Sequence, residues 1–310
     1  MSMTAARTLP LLFALGLFAA PAHAQDEGDD SPTIVVTGRQ AVGEGEALDV
    51  VRRAARPVDG QLARFQQPVC PRVIGFQDRY EEIVAARIRG TAAKVGARVG
   101  GEDCVHNLFV VIVDDSREFV DALQRREPEA FAGLSKREFT ALAEEEGAAR
   151  SWSSTMMTNS VGTIAGSPGG GSGGAAVNSG YGGSSISFGG NTNVMRVYES
   201  SNINPSVQQA IGAAWVVIET GAAFGKTLDQ IADYAAMRGL AMVRPAELAA
   251  STDTILALFV PGAPAAPAEL TAFDLAYLKG LYGIQGRRWA RQQVRQLADA
   301  IVRESDRASP

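Results

Sequence analysis

The run Leu108-Phe-Val-Val-Ile-Val113 decides the fold class of this chain. All six residues are aliphatic or aromatic, so a strand built from them has an apolar side chain on each side of the pleat. A continuous apolar run of this length is typical of a strand that is covered on both faces, as in a parallel or mixed sheet. We therefore expect a layered domain with helices packed on both sides of a sheet.

Helical patterns flank this strand on both sides. In residues 75–99, apolar residues recur at three- and four-residue spacing with Glu and Arg between them, which predicts an amphipathic helix. Further helices are expected at 117–126 and 136–146. Ser135 and Glu138 have the spacing of a capping box at the start of the second one. The order of helix, strand and helix predicts an α+β domain with a mixed sheet covered by amphipathic helices.

A second apolar strand is predicted at 213–218, followed by a helix at 228–240. The turn between them, Gly221-Ala-Ala-Phe-Gly-Lys-Thr227, is similar to a phosphate-binding loop. That loop has four residues between its glycines, and this turn has three. A structural interpretation fits instead, in which Thr227 begins the helix with a capping box to Gln230. We expect no nucleotide at this turn.

The C-terminal part is predicted to contain two more helices. Thr271 and Asp274 have capping-box spacing before a helix that ends near Gly283. Residues 287–303 form a basic amphipathic pattern, which could lie on an anionic membrane surface or cover the core. We expect core packing, because acidic residues interrupt the basic face.

The first 24 residues have the form of a secretory signal peptide. Arg7 supplies the positive start, residues 9–20 are apolar, and Ala22-His-Ala24 has the small-x-small form of a cleavage site. Twelve apolar residues are too few to span a bilayer, which takes about 20. We expect a mature protein that starts near Gln25, in the periplasm or outside the cell, without a transmembrane segment.

The remaining chain is expected to form one globular domain at 48–304. An acidic, Gly-rich flexible tail at 25–47 precedes this domain, and a disordered C-terminus at 305–310 follows it. Between Val161 and Gly190, 12 of 30 residues are Gly. A segment of this composition cannot offset its ordering entropy by burial, so we expect a mobile loop insertion at 159–192. Edge strands near 152–157 and 193–199 should bracket this loop.

Charge and cysteine content restrict the partners and the compartment. The chain has 34 acidic and 29 basic residues and a net charge of −5, which argues against nucleic acid as a partner. Its two cysteines, Cys70 and Cys104, are expected to form a disulfide in an oxidising compartment, and the alternative is a pair of buried thiols.

The segment Ala232-Asp-Tyr-Ala-Ala-Met-Arg-Gly-Leu-Ala-Met242 lies in the frame of the zincin metal helix, H-E-x-x-H-x-x-G-x-x-H. In this frame Ala232 and Ala236 occupy the two histidine positions, and Asp233 occupies the position of the general-base glutamate. Gly239 is at the turn glycine, and Met242 is at the third ligand. The downstream stretch Glu269-Leu-Thr-Ala-Phe-Asp-Leu-Ala-Tyr-Leu-Lys-Gly-Leu-Tyr282 extends the similarity.

Over residues 213–282 the chain resembles secreted alphaproteobacterial proteins of unknown function that are distantly similar to zincins and metzincin-like metalloproteases. The resemblance implies a zincin-like C-terminal half with a degenerate metal motif. Zinc catalysis needs three protein ligands and an open position for water. Alanine and methionine supply no such ligand, and His106 is the only histidine after the leader, so we expect no metal and no cofactor.

Other groups could in principle carry chemistry. Asp229 and Asp233, four residues apart on one helix, could hold a hard cation or act as acid and base. We expect instead two solvated carboxylates near a helix N-terminus, where negative charge is favoured. His106 could be a base or a ligand, but a loop histidine hydrogen-bonded beside the disulfide is the expected arrangement.

These expectations together predict an exported, non-catalytic, pseudo-metalloprotease-like protein. It would bind a peptide, a protein or an envelope component through the cleft of its scaffold, with Asp233, Tyr234 and Arg238 as ligand-binding candidates and no catalytic residue. The alternative is a hydrolase that uses Asp233 without a histidine-bound zinc. A third possibility is an envelope structural protein whose Gly/Ser-rich loop adheres to a surface.

Overall fold

The computed structural model describes residues 43–145, 147–159 and 204–308. All of them belong to one compact unit, Arg39–Pro310. The predicted signal peptide, nearly all of the predicted tail and of the Gly/Ser-rich loop, and the predicted strand near 193–199 lie outside the described residues.

Helices account for most of the regular structure. The α-helices are α1 Glu44–Ala54, α2 Asp78–Lys94, α3 Ser116–Arg126, α4 Lys136–Glu144, α5 Thr220–Ala223, α6 Leu228–Leu240, α7 Pro245–Ala249, α8 Ala272–Gly283 and α9 Ala290–Ala308. Short 3-10 helices lie at Pro128–Phe131 and Ile255–Phe259. The strands are β1 Arg64–Phe65, β2 Pro71–Ile74, β3 Leu108–Val113, β4 Ala149–Thr158 and β5 Gln208–Glu219.

The strands form one mixed sheet around β5. β3 runs parallel to the second half of β5, with Leu108 opposite Ala214, and β2 runs parallel to β3. β1 pairs in parallel with the first part of β5. β4 runs antiparallel along the other side of β5. Within the described residues β5 is the only strand with which β4 pairs, so β4 is an edge strand of the sheet.

A glycine bulge adjusts the pairing of β4 and β5. The register steps from Ser154 opposite Ala213 to Thr155 opposite Ile211, which leaves Gly212 as the extra residue. A Cβ at Gly212 would lie 2.3 Å from Cε of Met156. The bulge therefore fits only a glycine unless the Met156 side chain moves.

Helices cover both faces of the sheet, as the apolar run at Leu108–Val113 predicts. Leu108, Val110 and Ile112 face the larger core, which also contains buried residues of α1, α2, α6, α8 and α9. Val111 on the opposite face packs with residues of α3, α4 and the first 3-10 helix. No helix within the described ranges is both long and apolar enough to cross a bilayer.

A row of stacked rings fills the second face. Phe131 stacks on Trp152, Trp152 on Trp215 and Trp215 on Phe109, with ring centroids 4.9, 5.7 and 4.2 Å apart. The last two contacts are cross-strand neighbours on β4, β5 and β3. The indole N–H of Trp152 donates to the backbone oxygen of Ala130, so the row fixes the first 3-10 helix on the sheet.

Most local predictions are confirmed. The bounds of β3 and α6 agree with those expected, and all three capping boxes form, at α4, α6 and α8. Cys70 and Cys104 form the predicted disulfide, with their Cα atoms 6.0 Å apart.

Two helices extend beyond the domain boundaries predicted from the sequence. α1 begins at Glu44, inside the segment assigned to the tail, because Ala47 is fully buried in the core. α9 continues to Ala308, beyond the expected domain end at 304. Glu304 holds this last turn through ion pairs with Lys279 at 3.0 Å and Arg307 at 2.8 Å.

Candidate functional site

α6, the helix in the zincin frame, is surrounded by protein. Every residue from Ile231 to Leu240 is buried, and the helix packs against α2, β3, β4 and β5. The two alanines at the histidine positions, Ala232 and Ala236, have no exposed surface. A Cβ at Gly239 would lie 2.8 Å from Cδ1 of Leu108, so this glycine lets the helix approach the sheet closely.

Asp233 is held by three hydrogen bonds. Arg87 of α2 donates from Nε to Oδ1 at 2.8 Å and from Nη2 to Oδ2 at 2.7 Å, a bidentate ion pair. The backbone N–H of Leu270 donates to Oδ2 at 2.9 Å. The Asp233 side chain is only 2% exposed. These contacts connect α6 to α2 and to the segment that leads into α8.

Arg87 also contacts two other carboxylates. Its Nη1 lies 3.1 Å from Oδ1 of Asp229, and its Nη2 lies 3.5 Å from Oε2 of Glu269. The hydrogen bonds that Arg87 donates to Asp233 raise the pKa of Arg87 above its usual range. One guanidinium therefore organises a group of acidic residues, and Asp233 is the buried member of this group.

The expectation that Asp229 and Asp233 are two solvated carboxylates is wrong for Asp233. Asp229 is largely exposed, but Asp233 is buried against Arg87. The physical reason is tertiary, because α2 packs across α6 and brings a cation to a position that the sequence of α6 cannot indicate.

Tyr234 and Arg238 lie on α6 away from this ion pair. Tyr234 is buried, its ring packs edge-to-face on Phe259 with centroids 4.7 Å apart, and burial raises the pKa of its hydroxyl. Arg238 is 5% exposed, with its Cζ 6.0 Å from the centroid of the Tyr234 ring. Its Nη1 is buried and has no hydrogen-bond partner among the described residues.

Arg238 is one of several charged residues that act on Arg56. Nη2 of Arg56, which follows α1, lies 3.6 Å from Oε1 of Glu138 on α4. Burial lowers the pKa of Arg56; the charge of Glu138 opposes this shift, whereas Arg238 and Arg244 add to it. The charge of Glu145 also opposes the shift at Arg56, and it contributes to the raised pKa of Tyr234. We refer to Arg56, Glu138, Glu145, Arg238 and Arg244 as the arginine cluster.

The members of the arginine cluster differ in the partners of their charged groups. Nη1 of Arg244 donates to the backbone oxygens of Arg53 and Ala55 at 2.9 and 2.7 Å. Arg56 is paired with Glu138, whose other oxygen accepts from Ser135 in the capping box of α4. Arg238 is the member with an unsatisfied buried N–H group in the described structure.

The disulfide has a histidine beside it, as predicted. Nδ1 of the exposed His106 lies 3.3 Å from Sγ of Cys70. The side chain of Asn107 accepts from the backbone N–H of Cys70 and donates to the oxygen of Pro68. Within the described ranges, no three His, Cys, Asp or Glu side chains are arranged as metal ligands.

A buried carboxylate that sequence reasoning identified only as a helix cap has a wider structural role. Asp274 accepts hydrogen bonds from the Thr254 hydroxyl, from the backbone N–H of Ile255 at 2.9 Å, and from the N–H and hydroxyl of Thr271, both at 3.0 Å. Burial raises the pKa of Asp274. These bonds join the second 3-10 helix to the start of α8.

Of the three residues predicted to bind a ligand, Asp233 and Tyr234 are enclosed and Arg238 has an unpaired donor. Their role in binding stays a prediction. The sequence did not indicate the other members of the arginine cluster, because they come from four separate segments. An open depression on α4, lined by Lys136, Arg137, Thr140, Ala141 and Glu144, shares no residue with the arginine cluster. Comparison with models of protein families, with curated proteins and with solved structures finds no match to this chain.

Proposed function

We propose that this chain is an exported, non-catalytic binding protein with a zincin-like second half, and that its ligand is a peptide segment. The observation that carries the proposal is a difference between two charged residues of α6 in how their polar groups are hydrogen-bonded. The acidic residue at the catalytic position of the frame is fully engaged by Arg87 and Leu270, whereas Arg238 near the end of the helix retains an unpaired N–H group.

The layout of the second half supports a zincin-like scaffold. An antiparallel edge strand, β4, is followed in the chain by the central strand β5 and then by α6, which contacts both strands. In this arrangement the helix with the frame residues packs across β4, β5 and β3. Buried alanines at both histidine positions favour a scaffold that has kept the helix for packing and not for metal binding.

Export is supported by the leader sequence and by the disulfide. Residues 1–24 have the three parts of a signal peptide. The disulfide between Cys70 and Cys104 fits an oxidising compartment, because reducing cytosol keeps such pairs as thiols. The proposed location is the periplasm or the exterior.

The alternative, a hydrolase that uses Asp233, is less well supported. A general base needs a free acceptor within hydrogen-bond reach of the substrate. Both oxygens of Asp233 accept hydrogen bonds from Arg87, and Oδ2 also accepts from Leu270, so a substrate would have to displace an ion pair. Activity that disappears in Asp233→Asn at unchanged stability would support this alternative.

The proposed function is tested with the mature chain from Gln25. Zinc content is measured after dialysis against zinc, and cleavage of a mixed peptide substrate is followed with and without a chelator. We expect less than stoichiometric zinc and no chelator-sensitive cleavage. A random hexapeptide pool should nevertheless bind saturably to the immobilised protein. Stoichiometric zinc, peptide cleavage, or a failure of the pool to bind would each overturn the proposal.

A further inference from the structure

We propose that Arg238 anchors a carboxylate group of the bound ligand, with Arg56 beside it. This inference rests on the proposed function and adds the chemical class that the site recognises. It starts from an energetically unfavourable feature of the described structure. The Arg238 guanidinium is removed from water, and no acceptor satisfies its buried Nη1.

Such a cost is unusual for a charged side chain. A buried charge is normally paired or hydrogen-bonded, since desolvation without a partner is strongly unfavourable. Arg87 follows this rule through its bidentate pair with Asp233. Arg238 does not follow this rule, because its buried Nη1 has no hydrogen-bond partner among the described residues. Its ring contact with Tyr234, at 6.0 Å, lies at the limit for a cation–π interaction.

The charges of the arginine cluster favour an anion with one negative charge. Among the described residues, the charges of Glu138, Glu145, Arg238 and Arg244 all act on Arg56. This set has three guanidinium groups and two carboxylates, an excess of one positive charge. A carboxylate would neutralise this charge, whereas a phosphate dianion would leave a negative excess. A carboxylate also suits the planar fork of a guanidinium, which can donate two parallel hydrogen bonds to its oxygens.

One side of the arginine cluster faces solvent. Arg56 and Glu138 are half-buried, and Arg244 is exposed. Arg56 and Glu138 are also loosely paired, with 3.6 Å between nitrogen and oxygen. The proposed ligand approaches the arginine cluster on this side, where its carboxylate also meets Arg56.

A structural role for Arg238 makes a different prediction. If its contact with the Tyr234 ring were its purpose, removal of the charge would destabilise the fold. If the charge is kept for a ligand, Arg238→Met removes a desolvated cation and the melting temperature should stay the same or rise. Stability and binding thus separate the two roles.

The probe is a random hexapeptide pool without Asp or Glu, prepared once with a free C-terminal carboxylate and once as the C-terminal amide. A third, amidated pool contains Asp and Glu. We expect the first or the third pool to bind the mature protein at least tenfold more tightly than the amide without acids. Preference for the first identifies a chain terminus as the ligand group, and preference for the third identifies an acidic side chain.

The variants complete the experiment. Arg238→Met should lose at least tenfold in affinity for the preferred pool without a lower melting temperature, and Arg238→Lys should lose less. The matched control is Arg52→Met, which removes an exposed arginine of α1 and should bind normally. Equal binding of all three pools, normal binding by Arg238→Met, or stronger competition by inorganic phosphate than by acetate would overturn the carboxylate site and leave the proposed function standing. If no pool bound, both would be overturned.

Discussion

The two halves of α6 each contain a buried charged residue, and the two residues differ in whether their polar groups have partners. Asp233 in the first half is buried and accepts hydrogen bonds from Arg87 and Leu270, whereas Arg238, five residues later, is buried with an N–H group unsatisfied. Removal of one partner of a buried ion pair is strongly destabilising, because the other charge is then left buried without a partner. An unmatched buried charge lowers stability unless something binds it. The comparison therefore distinguishes a residue of α6 that holds the fold, Asp233, from the residue that we propose binds a ligand, Arg238.

The largest expected effect on stability is at Asp233, the paired charge of α6. Asp233→Asn removes the negative charge opposite Arg87, and we expect a loss of about 3 kcal/mol in the free energy of unfolding, at the lower end for a broken buried pair because Arg87 still reaches solvent. Urea denaturation measures this change. The matched control is Asp229→Asn, which alters a largely exposed partner of the same arginine and should cost about 0.5 kcal/mol. Equal costs at both positions would contradict the assignment of Asp233 as the structural residue.

The N-cap of α6 should contribute less. The Thr227 hydroxyl accepts from the backbone N–H of Gln230, and Oε1 of Gln230 accepts from the backbone N–H of Thr227. We expect Thr227→Ala to lower the free energy of unfolding by about 1 kcal/mol, because it leaves a helix N–H group without its acceptor. Thr227→Ser keeps the oxygen and should cost much less. If serine and alanine were equivalent, the capping contribution would be wrong.

A smaller, pH-dependent effect on stability is expected at Glu138 of the arginine cluster. The backbone N–H of Ser135 and the charge of Arg56 lower the pKa of Glu138 in the folded protein. Because the folded value is lower, this carboxylate stabilises the fold above its ordinary pKa of 4.5, and the contribution is lost as the pH falls below that value.

Glu138→Gln should therefore cost about 0.5 kcal/mol at pH 7, a modest figure because the side chain is partly screened by solvent. The difference from the wild type should shrink steadily in urea titrations between pH 5 and about pH 3. A difference that grew at low pH would have the wrong sign for a lowered pKa.

The smallest change in stability is expected for Arg238→Met. The substitution keeps a long side chain in the buried site and removes an unsatisfied guanidinium. We expect a free energy of unfolding within about 0.5 kcal/mol of the wild type, or higher, since replacement of buried charges by apolar groups is often neutral or stabilising. A loss of about 2 kcal/mol or more would mean that Arg238 is matched in the fold, and the contrast between the two ends of α6 would disappear.

Sequence reasoning succeeded where the determinants are local. The apolar run of β3, the periodicity of α6 and the capping boxes are all encoded by residues within one element. α1 was missed because its acidic, Gly-containing start resembles the preceding tail. Its buried residues Ala47, Val50, Val51 and Ala54 nevertheless have helical spacing that could have revealed it. β1 and β2, of two and four residues, are too short to give a periodic signal.

The candidate site was only partly predictable because its partners are distant in sequence. Arg87 and Asp233 are 146 residues apart, and no pattern within α6 indicates that α2 supplies a cation. The arginine cluster likewise combines α6 with α4 and with residues after α1, α4 and α6. The sequence could identify Arg238 as a candidate, but only the packing distinguishes an unmatched arginine from one paired on the surface.

The most direct test of this account is a double-mutant cycle between Arg87 and Asp233. The free energies of unfolding of the wild type, Arg87→Met, Asp233→Asn and the double variant give the energy that couples the two side chains. We predict a coupling of about 2 kcal/mol or more, so that Asp233→Asn costs little once Arg87 is absent. A coupling near zero would mean that Asp233 does not depend on Arg87, and would contradict the conclusion that α6 is held as a packing element.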